Sequence, residues 1–291
     1  ADGLPLPVSL CYVSAYPYNR RWPGHQRTTD QREVAYFARL AGKGPITFRY
    51  TPARAFSVCT VRPLSAKVTP TVKDGTITFT LPRAGGYSVE LDGLHNALHL
   101  FLDPPVNYSV SPDAGGVRYF GAGVHRIGIL RLKDDETVYI DEGAVVYGCI
   151  HGYGVHRVRI LGRGILDNSE NVEEILRKVD KLGDGSVDVG NSRREHTIHL
   201  INSSDIEIEG ITIRDSLVYN IACFGCSNIE VKNCKIIGCW RYNSDGIDFH
   251  NCRKARVAGC FVRTYDDSLC AKGHTGYRYD TCEDILFEHC V

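Results

Sequence analysis

The sequence predicts an all-β protein, an N-terminal β-sandwich followed by a right-handed parallel β-helix. Three observations carry that expectation. A template bounded by cysteines eight residues apart occurs three times, with starts at Cys226, Cys252 and Cys282. The core of each copy is a short alternating run of mostly β-branched residues, flanked by Asn, Gly, Ser and Asp. The first hundred residues lack the repeat but alternate apolar and polar at about ten-residue spacing.

The repeat decides the architecture of the longer part. Cys226–Cys234, Cys252–Cys260 and Cys282–Cys290 share one frame, and Ser203-Ser-Asp-Ile-Glu-Ile-Glu-Gly-Ile211 fits it with Ser and Ile in the cysteine places. A weaker copy begins at Val155. A period in the twenties signals a solenoid. The content of each copy is strand and turn rather than helix. A coil in such a stack rises about 4.8 Å, the ordinary interstrand spacing. The Leu-x-x-Leu-x-Leu frame of a leucine-rich repeat is missing.

In the N-terminal part, Ile77, Phe79 and Leu81 alternate in one run, Tyr87, Val89 and Leu91 in the next, and Leu98, Leu100 and Leu102 after it. Asp74-Gly75 and Asp92-Gly93 supply turn chemistry, which predicts antiparallel strands. Residues 1–103 are therefore expected to form the sandwich, 104–117 a Pro- and Gly-rich linker, and 118–291 the β-helix. A charged stretch at 168–197, partly helical over 172–181, interrupts the solenoid as a cleft wall or a tolerated insertion. The sequence stops at Val291 just after a repeat begins, so the solenoid is expected to be cut short.

Composition excludes several classes. With 34 basic and 34 acidic residues the net charge is zero, so no basic field points to nucleic acid. No apolar run is long enough for a membrane span, and no leader is visible at the N-terminus. Six of the twelve cysteines fall into two stacked rows, where free thiols pack as small apolar groups; disulfides are the alternative. Buried thiols and the missing leader lean towards a reducing, cytoplasmic compartment, with a processed, secreted or periplasmic protein as the other reading.

The candidate site is a pair of acidic clusters about one repeat apart. Asn243-Ser244-Asp245-Gly246-Ile247-Asp248 is followed by Tyr265-Asp266-Asp267, and Asp245 to Asp266 is 21 residues. Four carboxyls then converge on one patch of the stack, a costly arrangement. Glycosidic hydrolysis needs a protonated carboxyl for the leaving oxygen and a carboxylate to activate water or attack. Crowded aspartates create that split, because like charges a few ångströms apart cannot all ionise. No metal and no cofactor is required; a calcium site is the rival reading of four carboxylates. Trp240 and Tyr242 flank the first cluster and could stack on a pyranose face. Arg241 or Lys272 could pair a uronate, with His250, Arg263, Tyr265 and His274 as further sugar contacts.

At these residues the chain resembles glycoside hydrolase family 28, the polygalacturonase family. The family's Asn-Thr-Asp-Gly-x-Asp motif appears as Asn243-Ser-Asp-Gly-Ile-Asp248, and its Asp-Asp-Cys-Ile-Ala-x-Lys motif as Asp266-Asp-Ser-Leu-Cys-Ala-Lys272. The resemblance implies an inverting hydrolase of α-linked, pectin-type polysaccharide (galacturonan or rhamnogalacturonan). It implies Asp266 as general acid, Asp245 and Asp267 as the groups that position or activate water, Asp248 as part of their network, and Lys272 near the sugar. The family's Gly-His-Gly and Arg-Ile-Lys motifs are not in the chain. The sandwich before a β-helix also resembles family 49, the dextranase group, which implies neutral α-glucans as the alternative substrate. A polysaccharide lyase and a non-catalytic carbohydrate-binding solenoid are the remaining alternatives.

Overall fold

The computed structural model describes residues 1–15, 32–171, 196–241 and 243–291. The stretch 172–181, expected to be partly helical, lies outside them. The chain forms two compact units, one built from 1–15 and 33–107, the other containing 108–290.

The N-terminal unit holds two sheets. The five-stranded sheet runs Ser9–Ser14, Arg32–Ala41, Leu98–Asp103, Gly85–Leu91, Cys59–Arg62, and the three-stranded sheet Ile46–Tyr50, Thr76–Leu81, Thr71–Lys73. The alternating residues read from the sequence turn inwards: Ile77, Phe79 and Leu81 of one sheet share a core with Tyr87, Val89, Leu91, Leu98, Leu100 and Leu102 of the other. Asp74 and Gly75 both take positive φ in the two-residue hairpin between Lys73 and Thr76. One expectation is corrected. The sheet is not purely antiparallel, because Arg32–Ala41 pairs parallel to Leu98–Asp103. The latter strand is buried along all six residues, as a strand covered on both faces should be.

The longer unit is a parallel β-helix with three faces. The first is a seven-stranded sheet: Val117–Phe120, Thr137–Ile140, His156–Gly162, Ser204–Glu209, Ser227–Lys232, Arg253–Ala258, Glu283–Glu288. The second carries Ile165–Asp167, Thr212–Arg214, Lys235–Ile236 and Phe261–Val262; the third carries Ile198–Ile201, Ile221–Phe224, Ile247–His250 and Leu269–Lys272. The strand Ala144–Tyr153 runs through the second and third faces and joins them into one sheet. The turns from the third face to the first and from the first to the second each carry a left-handed residue. Asn202, Gly225 and Asn251 turn from the third face to the first, and Gly210, Asn233 and Gly259 from the first to the second, all at positive φ. Glycine and asparagine reach that region at least cost, which is why they bound the repeat template.

The two cysteine rows stack inside. The Cys226, Cys252 and Cys282 thiols donate to the carbonyls of Leu200, Cys223 and Phe249 at 3.4, 3.3 and 3.4 Å, each on the preceding coil. The second row repeats this with Cys234, Cys260 and Cys290 on Ile208, Val231 and Val257. All twelve cysteines are free thiols. Burial pushes the Cys226 thiol well above its ordinary value, so it packs as an apolar group.

Candidate active site

The acidic residues sit on the third face and on the turns that lead into it. The register pairs Ile247 with Leu269, Asp248 with Cys270 and His250 with Lys272. Asp245 therefore stands in line with Asp267, and the repeat here is 22 residues rather than the 21 read between Asp245 and Asp266. Asp266 lies one residue ahead of that line. The backbone agrees: the Gly246 amide donates to the Asp267 carbonyl at 2.8 Å, and the Asn220 amide to the Asp245 carbonyl at 2.9 Å. Gly246 is required by this close approach. A β-carbon there would fall 2.2 Å from the Ser268 carbonyl oxygen and 2.6 Å from a Val262 methyl.

The turn Thr264–Ser268 is built to present two carboxyls. The Thr264 hydroxyl donates to the Asp266 carbonyl at 2.8 Å and accepts from the Ser268 hydroxyl at 2.9 Å, while the Asp267 amide donates to Asp266 Oδ1 at 2.9 Å. One carboxylate oxygen from each of Asp245, Asp266 and Asp267 lies within 4.8 Å of the others. Asp245 is buried, Asp266 half-buried and Asp267 exposed. Asp248 is fully buried beneath them. Asp245 Oδ1 and Asp248 Oδ2 are buried and accept no hydrogen bond from the described residues.

The Lys272 ammonium stands in the middle, 3.0 Å from Asp267 Oδ2 and 3.4 Å from both Asp245 Oδ2 and Asp248 Oδ1. Burial, with neighbouring carboxylates second, pushes Asp245 up to about 8. Burial likewise pushes Asp248 to about 7 against the pull of Lys272, and raises Asp266. Lys272 itself is held well above the usual lysine value; burial opposes this, but its contact with Asp267 and the charges of Asp248 and Asp245 outweigh it.

The other candidates divide. His250 is buried at the end of its strand, stacked on Phe224 at 4.3 Å and on His274 at 4.9 Å, with Nε2 3.8 Å from Asp248 Oδ1. His274 is exposed, and its amide is held by Asn251 Oδ1 at 2.7 Å. Arg263 and Tyr265 are half-buried on the turns of the same coil. Tyr242 lies outside the described residues. Trp240 and Arg241 are corrected. Trp240 is 1% exposed and its indole N–H donates to Asp215 Oδ1 at 3.1 Å, so no ring face is open to a sugar. Arg241, 4% exposed, lies over that indole at 4.6 Å and is drawn to the charges of Asp215 and Asp167. The turn folds inwards because a large apolar ring gains more from burial than from display.

Sequence reasoning missed Tyr219. Its ring stands one coil before Asp245 and 5.7 Å from the Lys272 ammonium. Counting back by the 26-residue spacing of Cys226 and Cys252 from Asp245 lands on it. Also missed was the strip of rings that continues along this face, His151, His199, His196, Tyr219, Phe224 and His250 in mutual contact. These come from four coils and share no motif.

With the geometry in place, comparison with known proteins adds the following. The family described as "Glycosyl hydrolases family 28" matches residues 131–286, a span that contains Asp245, Asp248, Asp266 and Asp267. Dex49A from Penicillium minioluteum is similar in structure, with a TM-score of 0.62 at 17% identity over 87% of this chain and 59% of that one. The family 28 exopolygalacturonase of Yersinia enterocolitica matches with a TM-score of 0.51 at 15% identity, over 74% of this chain and 55% of that one. Likeness at that identity shows the fold. The chain spans little more than half the length of these two structures. No curated protein sequence matches it.

Proposed function

We propose, from the premise that this chain belongs to glycosyl hydrolase family 28, that its aspartate cluster hydrolyses α-glycosidic bonds of a pectin-type polysaccharide with inversion. Asp266 is the general acid, and Asp245 with Asp267 activates the water. The observation that carries the reading is the meeting of three carboxylate oxygens, from Asp245, Asp266 and Asp267, within 4.8 Å of one another. Asp266 is raised by burial yet half-exposed, so a proton on it can reach a leaving oxygen. The sealed Asp248 cannot do that. The bond from the anomeric carbon to the leaving oxygen breaks as that oxygen takes the Asp266 proton. The water oxygen bonds to the same carbon as its proton passes to the Asp245–Asp267 pair.

A second reading has an observation in its favour. Inverting enzymes usually hold their carboxyls about 6.5–9.5 Å apart and retaining ones about 5–5.5 Å, and one oxygen from each of the three carboxyls here lies within 4.8 Å of the others, short of the inverting range. Inversion still fits, because Asp245 and Asp267 form a pair that can hold water beside Asp266 rather than opposite a single partner. Proton NMR of the first-formed product decides the matter: a β-anomer from an α-linked substrate supports inversion, an α-anomer retention. Reducing-sugar release from galacturonan, rhamnogalacturonan, dextran and pullulan separates the pectin-type substrate from the neutral α-glucan suggested by the likeness to Dex49A.

A further inference from the structure

We propose that Lys272 is a positioning residue, the internal counter-ion that holds Asp245, Asp248 and Asp267 in place and lowers the pH at which the water-activating pair Asp245–Asp267 gives up its proton. The inference rests on the cluster being the hydrolytic site proposed above. It replaces the expectation that Lys272 pairs with a substrate carboxylate.

The ammonium has three hydrogens, and three carboxylates already face it, Asp267 at 3.0 Å and Asp245 and Asp248 at 3.4 Å. Two of those partners, Asp245 and Asp248, are 2% and 0% exposed. A carboxylate that deep is costly unless a cation sits beside it. Among the described residues Lys272 is the only permanent cation paired with either. Asp266 is the exception in the cluster: among the described residues it makes no ion pair with the ammonium, and its Oδ1 accepts instead from the Asp267 amide.

The remaining neighbours reinforce the arrangement. The Tyr219 ring caps the ammonium from the preceding coil. Cys270, on the same strand, is a thiol raised by burial to about 11, so it adds no charge near neutrality. His250 stands in register with Lys272 and adds a cation near Asp248 only when protonated. Four carboxyls thus share one permanent positive charge. Burial raises Asp245 to about 8 and Asp248 to about 7 even beside the ammonium, whose charge and contacts oppose that rise.

The test compares Lys272→Met, Lys272→Gln and Lys272→Arg with wild type on one uronate-bearing and one neutral polysaccharide. Without the cation the water-activating carboxyls ionise only at higher pH. The acidic limb of kcat/KM should therefore move up by about one pH unit or more in the Met and Gln variants, with at least about a tenfold loss at pH 5–6 that recovers on raising the pH. Arg should restore the wild-type limb. An unmoved limb, with KM raised only for the uronate substrate, would show Lys272 to be a substrate ligand and overturn the proposal. If neither neutral variant folds, carboxyl carbon NMR on folded wild type decides: loss of the Asp245–Asp267 pair's proton along the acidic limb supports the proposal, and a pair still fully protonated at the pH of greatest activity overturns it. Full activity of Asp266→Asn would instead sink the hydrolytic reading itself, whatever Lys272 does.

Discussion

Asp245 and Asp267 occupy equivalent positions on adjacent coils, joined through the Gly246 amide on the Asp267 carbonyl at 2.8 Å. One is buried and the other exposed. That single register relation places an inner and an outer carboxyl on one line, with Asp266 beside them and Lys272 between.

Burial of Asp245 links pH to stability. Its folded-state value of about 8 lies above the ordinary carboxyl value of 3.8, so the folded protein holds a proton that the unfolded chain releases. This contribution is present at low pH and is lost as pH rises through about 8. Asp245→Asn should flatten the slope. The variant is expected to be more stable than wild type at pH 8, by on the order of 5 kcal/mol, with the gap narrowing as pH falls and closing only near pH 4. Thermal unfolding across that range measures it.

Gly246→Ala puts a methyl group 2.2 Å from the Ser268 carbonyl oxygen, and neighbouring coils cannot part locally. A loss of about 1–3 kcal/mol is expected, read as a lower denaturation midpoint, together with weaker catalysis because Asp245 shifts with the backbone.

Trp240→Phe should act on stability rather than on sugar affinity. The substitution leaves Asp215, a carboxyl that burial raises to about 6, without its indole donor. A destabilisation of about 1–3 kcal/mol is expected, with KM unchanged at a temperature where the variant is folded.

The thiol rows predict slow chemistry. Cys226 and Cys252 are fully buried, and burial raises the Cys226 thiol. A thiol reagent should leave both unmodified in the native protein while reaching half-buried Cys59 or Cys270, and should modify all twelve after denaturation.

Much of this was legible in the chain. The cysteine frame revealed the coil because a stacked position imposes one side-chain type on every repeat. The convergence of Asp245, Asp266 and Asp267 followed from that frame. The register was one residue off because matching acidic motifs suggested the alignment, whereas the hydrogen-bond ladder sets Ile247 against Leu269. Trp240 was misread since turns look solvated in sequence, and only tertiary packing shows which fold inwards. Tyr219 was accessible by counting one coil back. The histidine and aromatic strip was not, because contacts between rings on four coils leave no local pattern.

The central claim is that Asp266 gives its proton to the leaving oxygen. Its most direct test compares Asp266→Asn with wild type on a polysaccharide and on an aryl glycoside whose leaving group needs no proton. Loss of about 10²–10⁴ in kcat/KM on the polysaccharide, with much of the rate retained on the aryl glycoside, is the predicted result. Equal loss on both substrates, or no loss on the polysaccharide, would contradict it.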